Sequence, residues 1–402
     1  MTKHIDTHKI LVLSYGLSGN GGTETILHSW GENFQKHSHI DYKVLIYDWL
    51  GNDKKLKGIN YQLVKKTHPV VRRLLLLKEL LQNRYDSVVC MEPRYIRYAL
   101  FARSLLPGKK TKIYFWPHIS LDHLKFTSHT TVPESKDLYA IKKVDKALAL
   151  CSGMQEQMQT LFGLPSSRVE IIFNPVVQQE KTIPSSTTGI PQFIFMGRFE
   201  NEQKRITELI DAFEQIDRPY HLRIIGSGPH KAILHNYLSQ KDKARLEKIA
   251  LCRHLQQFNL LPSLLDAEGL ARYIDYQEKN LLQNKITIDN KWSPNPWDTV
   301  ASADAVLLTS KYEGFGMVLA EAISYGIPCI SSDCSVGPAD IIQHGVNGYL
   351  YQPGNTWELK NRIIDIMDKK LKTPVQVIKA SIADKYEDAY YARLYQVLGV
   401  PS

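Results

Sequence analysis

The chain has 402 residues, of which 43% are apolar, 23% charged and 10% aromatic, and its formal net charge is +9. That length and mix predict two or three folded domains and exclude a disordered chain, a collagen-like repeat and a small disulfide scaffold. No stretch approaches the ~18 uninterrupted apolar residues of a membrane-spanning helix.

The opening, MTKHIDTHK, is polar and lacks the apolar core of a secretory leader. The five cysteines, Cys90, Cys151, Cys252, Cys329 and Cys334, are odd in number and scattered. They read as reduced thiols of a cytosolic protein. With no C-x-x-C pair, no structural zinc is expected. The charge is uneven: residues 1–175 hold 25 Lys and Arg against 15 Asp and Glu, and residues 176–402 hold 25 against 26. A basic first half attracts phosphate-bearing partners, such as an anionic membrane face or an anionic substrate. Nucleic acid is not expected, because no zinc-finger, RNP or related pattern occurs.

In chain order, residues 9–14 (KILVLS) read as a first strand, followed by the loop GLSGNGGTE at 16–24 and a helix over 25–35. Residues 42–47, 87–91, 112–116 and 147–151 read as further strands with helical stretches between, the last followed by a helix opened by Ser152. This alternation predicts a parallel sheet in an α/β layer. Residues 175–191 break into a Pro/Ser/Thr-rich linker. A second series follows, with strands at 193–196, 222–225, 305–309 and 328–331. The expected architecture is therefore α/β, with two Rossmann-like domains facing across a cleft. The expected boundaries are 1–177 for the first domain, 178–190 for the linker and 191–372 for the second domain. A helical insertion is expected at about 240–293, and a terminal helical segment at 373–402.

Three constellations carry chemistry. Glycines after the first strand let backbone N–H groups approach an anion. Asp48, closing the second strand, raises a dinucleotide reading, but the glycine spacing is not G-x-G-x-x-G. Arg198 follows Gly197 at a strand end, with Lys204 six residues on; together they can hold a diphosphate, one as a fork and one as a point charge. Residues 311–325 (KYEGFGMVLAEAISY) place Gly314 and Gly316 around Phe315, with a helix starting near Met317. Glu313 then sits in the loop and Glu321 just over one turn inside the helix. Carboxylates at this spacing suit sugar or ribose hydroxyls, and the free amides at the helix start suit a phosphate.

The motifs GNGGTE (19–24), FNP (173–175), GRFENEQKR (197–205) and EGFGMVLAE (313–321) resemble the family 4 retaining glycosyltransferases of the GT-B fold. The stretch 324–354 looks most like the bacterial lipopolysaccharide-core galactosyltransferases. The resemblance implies that Arg198 and Lys204 neutralise a donor diphosphate and that Glu321 holds the ribose. It implies that Glu313 faces the donor sugar, and that Gly314, Phe315, Gly316, Met317 and Val318 line sugar and phosphate. Gly21 and Gly22 would let the first domain close on the diphosphate, and His118, in FWPHIS, matches an active-site histidine. The spacing from Arg198 to Lys204 is one residue longer than in many members, so Arg205 is a second candidate for the phosphate. The expected donor is UDP-galactose, UDP-glucose or UDP-GlcNAc. With no D-x-D pair, no metal cofactor is expected.

The expected acceptor is a cell-surface glycan, such as lipopolysaccharide core or another lipid-linked saccharide. A protein, teichoic-acid or exopolysaccharide acceptor is the alternative, as is a catalytically silent binding subunit. The terminal helix is expected to return to the first domain, as in this fold generally. Residues 65–85 mix Lys65, Lys66, Arg72, Arg73 and Lys78 with a leucine run. They read either as a basic amphipathic helix lying on an anionic membrane or as core leucines with solvated cations.

Overall fold

The computed structural model describes residues 7–17, 22–50, 60–64, 68–106, 108, 110–118, 121, 135–257, 267–289, 293 and 295–401. The apolar runs become two sheets. The first holds β1 (His8–Leu17), β2 (Ile40–Leu50), β3 (Tyr61–Leu63), β4 (Ser87–Cys90), β5 (Lys112–Phe115), β6 (Lys146–Ala149) and β7 (Val169–Ile171). Their order is β3-β2-β1-β4-β5-β6-β7. The second holds β8 (Gln192–Arg198), β9 (His221–Ser227), β10 (Ile286–Asp289), β11 (Ala305–Leu308), β12 (Cys329–Ser332) and β13 (Gly348–Tyr351), in the order β10-β9-β8-β11-β12-β13. Every pairing between these strands is parallel. Helices on both faces bury such sheets from both sides, which is why Ile10, Leu11, Val12 and Leu13 are all 0% exposed. In β8 the side chains alternate: Phe193 and Phe195 enter one apolar cluster, Ile194 and Met196 the other.

In each sheet the first strand in sequence lies inside, and the order reverses beside it, at β1/β4 and at β8/β11. Ligands of such sheets bind beyond the strand carboxyl ends at these reversal points. The two carboxyl edges face each other. Ser152, just after β6, donates from its N–H to both Asp340 carboxylate oxygens at 3.1 Å and from Oγ to one at 2.8 Å. Phe173, just after β7, lies 6.0 Å from Phe315 between ring centroids.

Two regions differ from the sequence reading. The helical stretch expected at 240–293 begins earlier, as Lys231–Gln257, and continues as Ala267–Lys279 and Leu282–Lys285. It then contains β10, so the segment contributes an edge strand as well as helices. The buried Asp242 carboxylate ties it together by accepting from the N–H groups of Leu282 at 2.8 Å and Gln283 at 2.9 Å. The terminal pattern is broken: Val375–Ala380 is one helix, Glu387–Leu398 another. Between them the backbone extends at Tyr386, where Val176 donates to the Lys385 carbonyl (3.0 Å) and Glu387 donates back to Val176 (3.2 Å). A continuous helix would use those groups internally. The last helix lies on the first sheet's unit, where Trp30 Nε1 donates to the Tyr390 hydroxyl at 2.6 Å and Tyr114 Oη to the Val397 carbonyl at 2.8 Å.

Candidate active site

The reversal point of the second sheet gathers most of the predicted residues. β8 ends at Arg198, and β9 runs so close beside it that a Cβ at Gly226 would sit 1.8 Å from the Gly197 carbonyl oxygen. The next turn is shaped locally. The Glu200 carboxylate accepts from the N–H groups of Glu202 and Gln203 and so caps the short helix Asn201–Lys204. Arg205 then turns left-handed, at φ 48°, before the helix Ile206–Glu214. This turn is pinned to the end of β11: Thr309 Oγ1 donates to the Lys204 carbonyl at 2.7 Å, and the Lys311 N–H donates to the Gln203 carbonyl at 2.7 Å.

The result is a compact charged cluster. Lys204 Nζ lies 2.5 Å from Glu313 Oε1, and Ser310 Oγ donates to the same oxygen at 2.5 Å. Ser310 is itself held, since its carbonyl accepts from Ser332 Oγ at 2.6 Å. Glu313 is only 7% exposed. A buried carboxylate keeps its charge only with such partners. Both partners occupy Oε1, and Oε2 has none among the described residues. Arg198, by contrast, is exposed, and its guanidinium makes no ion pair or hydrogen bond among the described residues. Arg205 is engaged elsewhere, with Glu208 at 3.4 Å and Gly354 beside its guanidinium.

Gly314, Phe315 and Gly316 lead into the helix Met317–Ser324. Gly316 has φ 96°, a conformation that favours glycine. Among the described residues no side chain caps the first turn of the helix, so the amides around Met317 and Val318 are open to an anion. Phe315 is buried, and its carbonyl lies where a Cβ on Gly337 would be, 2.2 Å away. Glu321 is half-buried and accepts a hydrogen bond from Trp297 Nε1 at 2.9 Å.

On the first sheet, His118 follows β5. Its ring stands edge-on to Trp116 at 4.0 Å, and Trp116 stacks on Trp30 at 4.4 Å. Its Nε2 is buried with no partner among the described residues. Burial pushes the imidazole down to about 3, so the ring is neutral. Gly22 begins the helix Gly22–Phe34, and a Cβ added there would meet nothing within 4 Å among the described residues. Gly21 lies outside the described residues, as do Lys65 and Lys66. Among the described residues no cluster of His, Cys, Asp and Glu is arranged to hold a metal.

The sequence reading did not include Ser310, Ser332, Thr309 or Trp297. Only Ser310, three residues before Glu313 in the loop after the strand AVLL, carried any local signal.

Two parallel-sheet units meeting along their carboxyl edges, with this cluster at a reversal point, define a GT-B glycosyltransferase. The family model "Glycosyl transferases group 1" matches residues 266–384. The chain is 30% identical to the lipopolysaccharide 1,6-galactosyltransferase of Escherichia coli K12, covering 97% of this chain and 98% of that one. It is 29% identical to the corresponding Salmonella typhimurium enzyme, covering 95% and 96%. Among solved structures it resembles the apo form of the lipopolysaccharide outer core galactosyltransferase WaaB, with a TM-score of 0.74, 26% identity and coverage of 97% and 99%. The UDP complex of HepE from Anabaena shares the fold, with a TM-score of 0.70 at 16% identity and coverage of 98% and 100%. The chain belongs to the group 1 glycosyl transferases and is a hexosyltransferase.

Proposed function

We propose that the chain moves a hexose, galactose first among the candidates, from its UDP ester to the saccharide core of lipopolysaccharide, with retention at the anomeric carbon. The observation that carries this is the Lys204–Glu313–Ser310 cluster at the reversal point, in a chain that aligns end to end with lipopolysaccharide 1,6-galactosyltransferases. Arg198, with its guanidinium unpaired, forks onto the donor diphosphate, and Lys204 adds a point charge beside it. The open amides at Met317 and Val318 complete the anion site. Glu313 Oε2 accepts from a sugar hydroxyl and Glu321 from the ribose. His118, neutral, offers its unpartnered Nε2 to a hydroxyl of sugar or acceptor, while Gly21 and Gly22 let the first unit approach the diphosphate. Gly314, Phe315 and Gly316 form the backbone wall of the sugar pocket.

The bond from the anomeric carbon to the phosphate oxygen breaks as the bond to the acceptor oxygen forms on the same face. The acceptor's proton passes to the leaving phosphate oxygen. The fixed cations stabilise charge on the departing UDP, the largest contribution such a site makes. Turnover is therefore expected without added metal.

This reading also includes contact with an anionic membrane. The helix Pro69–Asn83 buries Leu76 and Leu80 but exposes Val70, Val71, Leu74 and Leu75, with Phe101 52% exposed on the neighbouring helix Pro93–Ser104. Arg73 and Arg97 line the shallow groove beside them. Exposed apolar side chains with the Arg73 cation beside them suit an anionic lipid surface. Among the described residues no helix is long and apolar enough to cross a membrane.

The test supplies UDP-galactose, UDP-glucose and UDP-GlcNAc with a galactose-deficient lipopolysaccharide core in EDTA, and reads UDP release and product anomeric configuration. Transfer from UDP-galactose with retention is expected, falling by about 100-fold or more in Lys204→Ala and Glu313→Ala. UDP binding without transfer to any saccharide would leave a silent binding subunit, and transfer only to protein or to a polyol-phosphate polymer would change the acceptor. Sedimentation with vesicles containing phosphatidylglycerol reads the membrane contact. It should weaken in Leu74→Asp/Leu75→Asp, and equal binding by that variant would remove this part of the reading.

A further inference from the structure

Trp297 lies in a short turn, Pro296–Thr299, between the helical segment of the second unit and β11. It is 4% exposed, and a buried indole normally spends its single N–H on a backbone carbonyl or a water. Here the N–H goes to a carboxylate, Glu321 Oε2, at 2.9 Å. The ring also packs against Tyr325, one helical turn beyond Glu321, at 5.3 Å between centroids. Asn295, two residues before Trp297, donates to Asp298 Oδ1 at 2.9 Å and so holds the turn closed. Trp297 is thus clamped to the same helix that carries Glu321, from outside that helix.

We propose that Trp297 is a positioning residue for the nucleotide ribose, its indole N–H holding the Glu321 carboxylate in the orientation that receives the ribose hydroxyls. This rests on the assignment of Glu321 to the ribose. A glutamate has three side-chain torsions, and ordering it at the moment of binding costs affinity. A charge-assisted hydrogen bond from a rigid, buried donor removes that cost beforehand.

The experiment compares binding of UDP and 2′,3′-dideoxy-UDP to the full chain by calorimetry, for the unaltered protein, Glu321→Ala and Trp297→Phe. Phenylalanine keeps an aromatic ring against Tyr325 and removes only the N–H and part of the ring system. The unaltered protein should prefer UDP over the dideoxy compound, and Glu321→Ala should lose that preference. Trp297→Phe should weaken UDP by about tenfold, the scale of one hydrogen bond to a charged group, while dideoxy-UDP binding changes less than about twofold. Trp297→His, which keeps a ring N–H, should recover part of the preference, and it carries the comparison if Trp297→Phe fails to fold. If the unaltered protein does not distinguish the two nucleotides, the ribose assignment of Glu321 fails. If it does, and Trp297→Phe keeps the full preference or loses both nucleotides equally, the positioning role alone is overturned.

Discussion

His118 is neutral wherever the protein is folded and active, because burial holds its imidazole at about 3 against an ordinary value of 6.5. The sign of the stability effect follows. Between those values the unfolded chain binds a proton at this site and the folded chain does not, so stability rises with pH and is lost as pH falls from 6.5 towards 3. In His118→Asn that dependence is absent. Urea unfolding at pH 7 and pH 5 should show the unaltered protein losing about 1 kcal/mol more per pH unit than the variant; parallel losses would refute the burial. The pH profile of kcat/KM should likewise show no limb from His118 near 6.5. At this scale the sequence was informative where chemistry is local. Lys204, Glu313 and Glu321 stood out by residue type beside glycines and strand ends. Ser310 and Trp297 did not, because their contribution is made only when distant segments meet: Ser332 at Ser310, and Glu321 at Trp297, 24 positions away.

Elements were legible according to where they lie in the sheets. The interior strands announce themselves as apolar runs because parallel pairing buries both faces, as in β4 and β11, where all four residues are buried. The strands that escaped sequence reading are β3, β7, β10 and β13, and these are the four sheet edges. An edge strand has one neighbour and is short and partly exposed, as β3 is at Gln62 and Leu63. The terminal helical segment expected at 373–402 gave no warning of the extended break at Tyr386, which tertiary pairing with Val176 imposes. That break carries the final helix Glu387–Leu398 to the first unit, where the Trp30–Tyr390 hydrogen bond is buried on both sides. Tyr390→Phe would leave the Trp30 N–H buried and unpaired, at about 1–3 kcal/mol. Thermal unfolding should then shift down by about 2–4 °C per kcal/mol lost, with UDP affinity unchanged. An unshifted transition would mean that this contact does not hold the helix.

On the proposed reading the molecule works only if its two units keep their register across the cleft, because the proposed donor residues Arg198, Lys204, Glu313 and Glu321 lie on the second unit and His118 on the first. One position tests that register without touching any of them. Gly153 is the second residue of the helix Ser152–Phe162, and a Cβ there would sit 2.1 Å from the Ser335 carbonyl oxygen of the other unit. The obstruction is backbone, so it cannot rotate away. Gly153→Ala must part the units or shift the helix by about 1 Å, and the bonds from Ser152 to Asp340 lengthen with it. Within its own helix the change costs little, since alanine is the better helix former and Gly153 lies in the first turn. The variant therefore perturbs the seam between the units and leaves the helix itself intact. Its unfolding temperature should fall by a few degrees at most as the seam loosens, and its affinity for UDP should stay within about threefold of the parent. Its kcat should fall by tenfold to about 100-fold, the range in which a 1 Å displacement of reacting groups costs rate. Unchanged kcat would show that the seam at Gly153 is free to slide. A parallel loss of UDP affinity would mean that the approach of the first unit to the diphosphate contributes to donor binding in the ground state as well as to transfer.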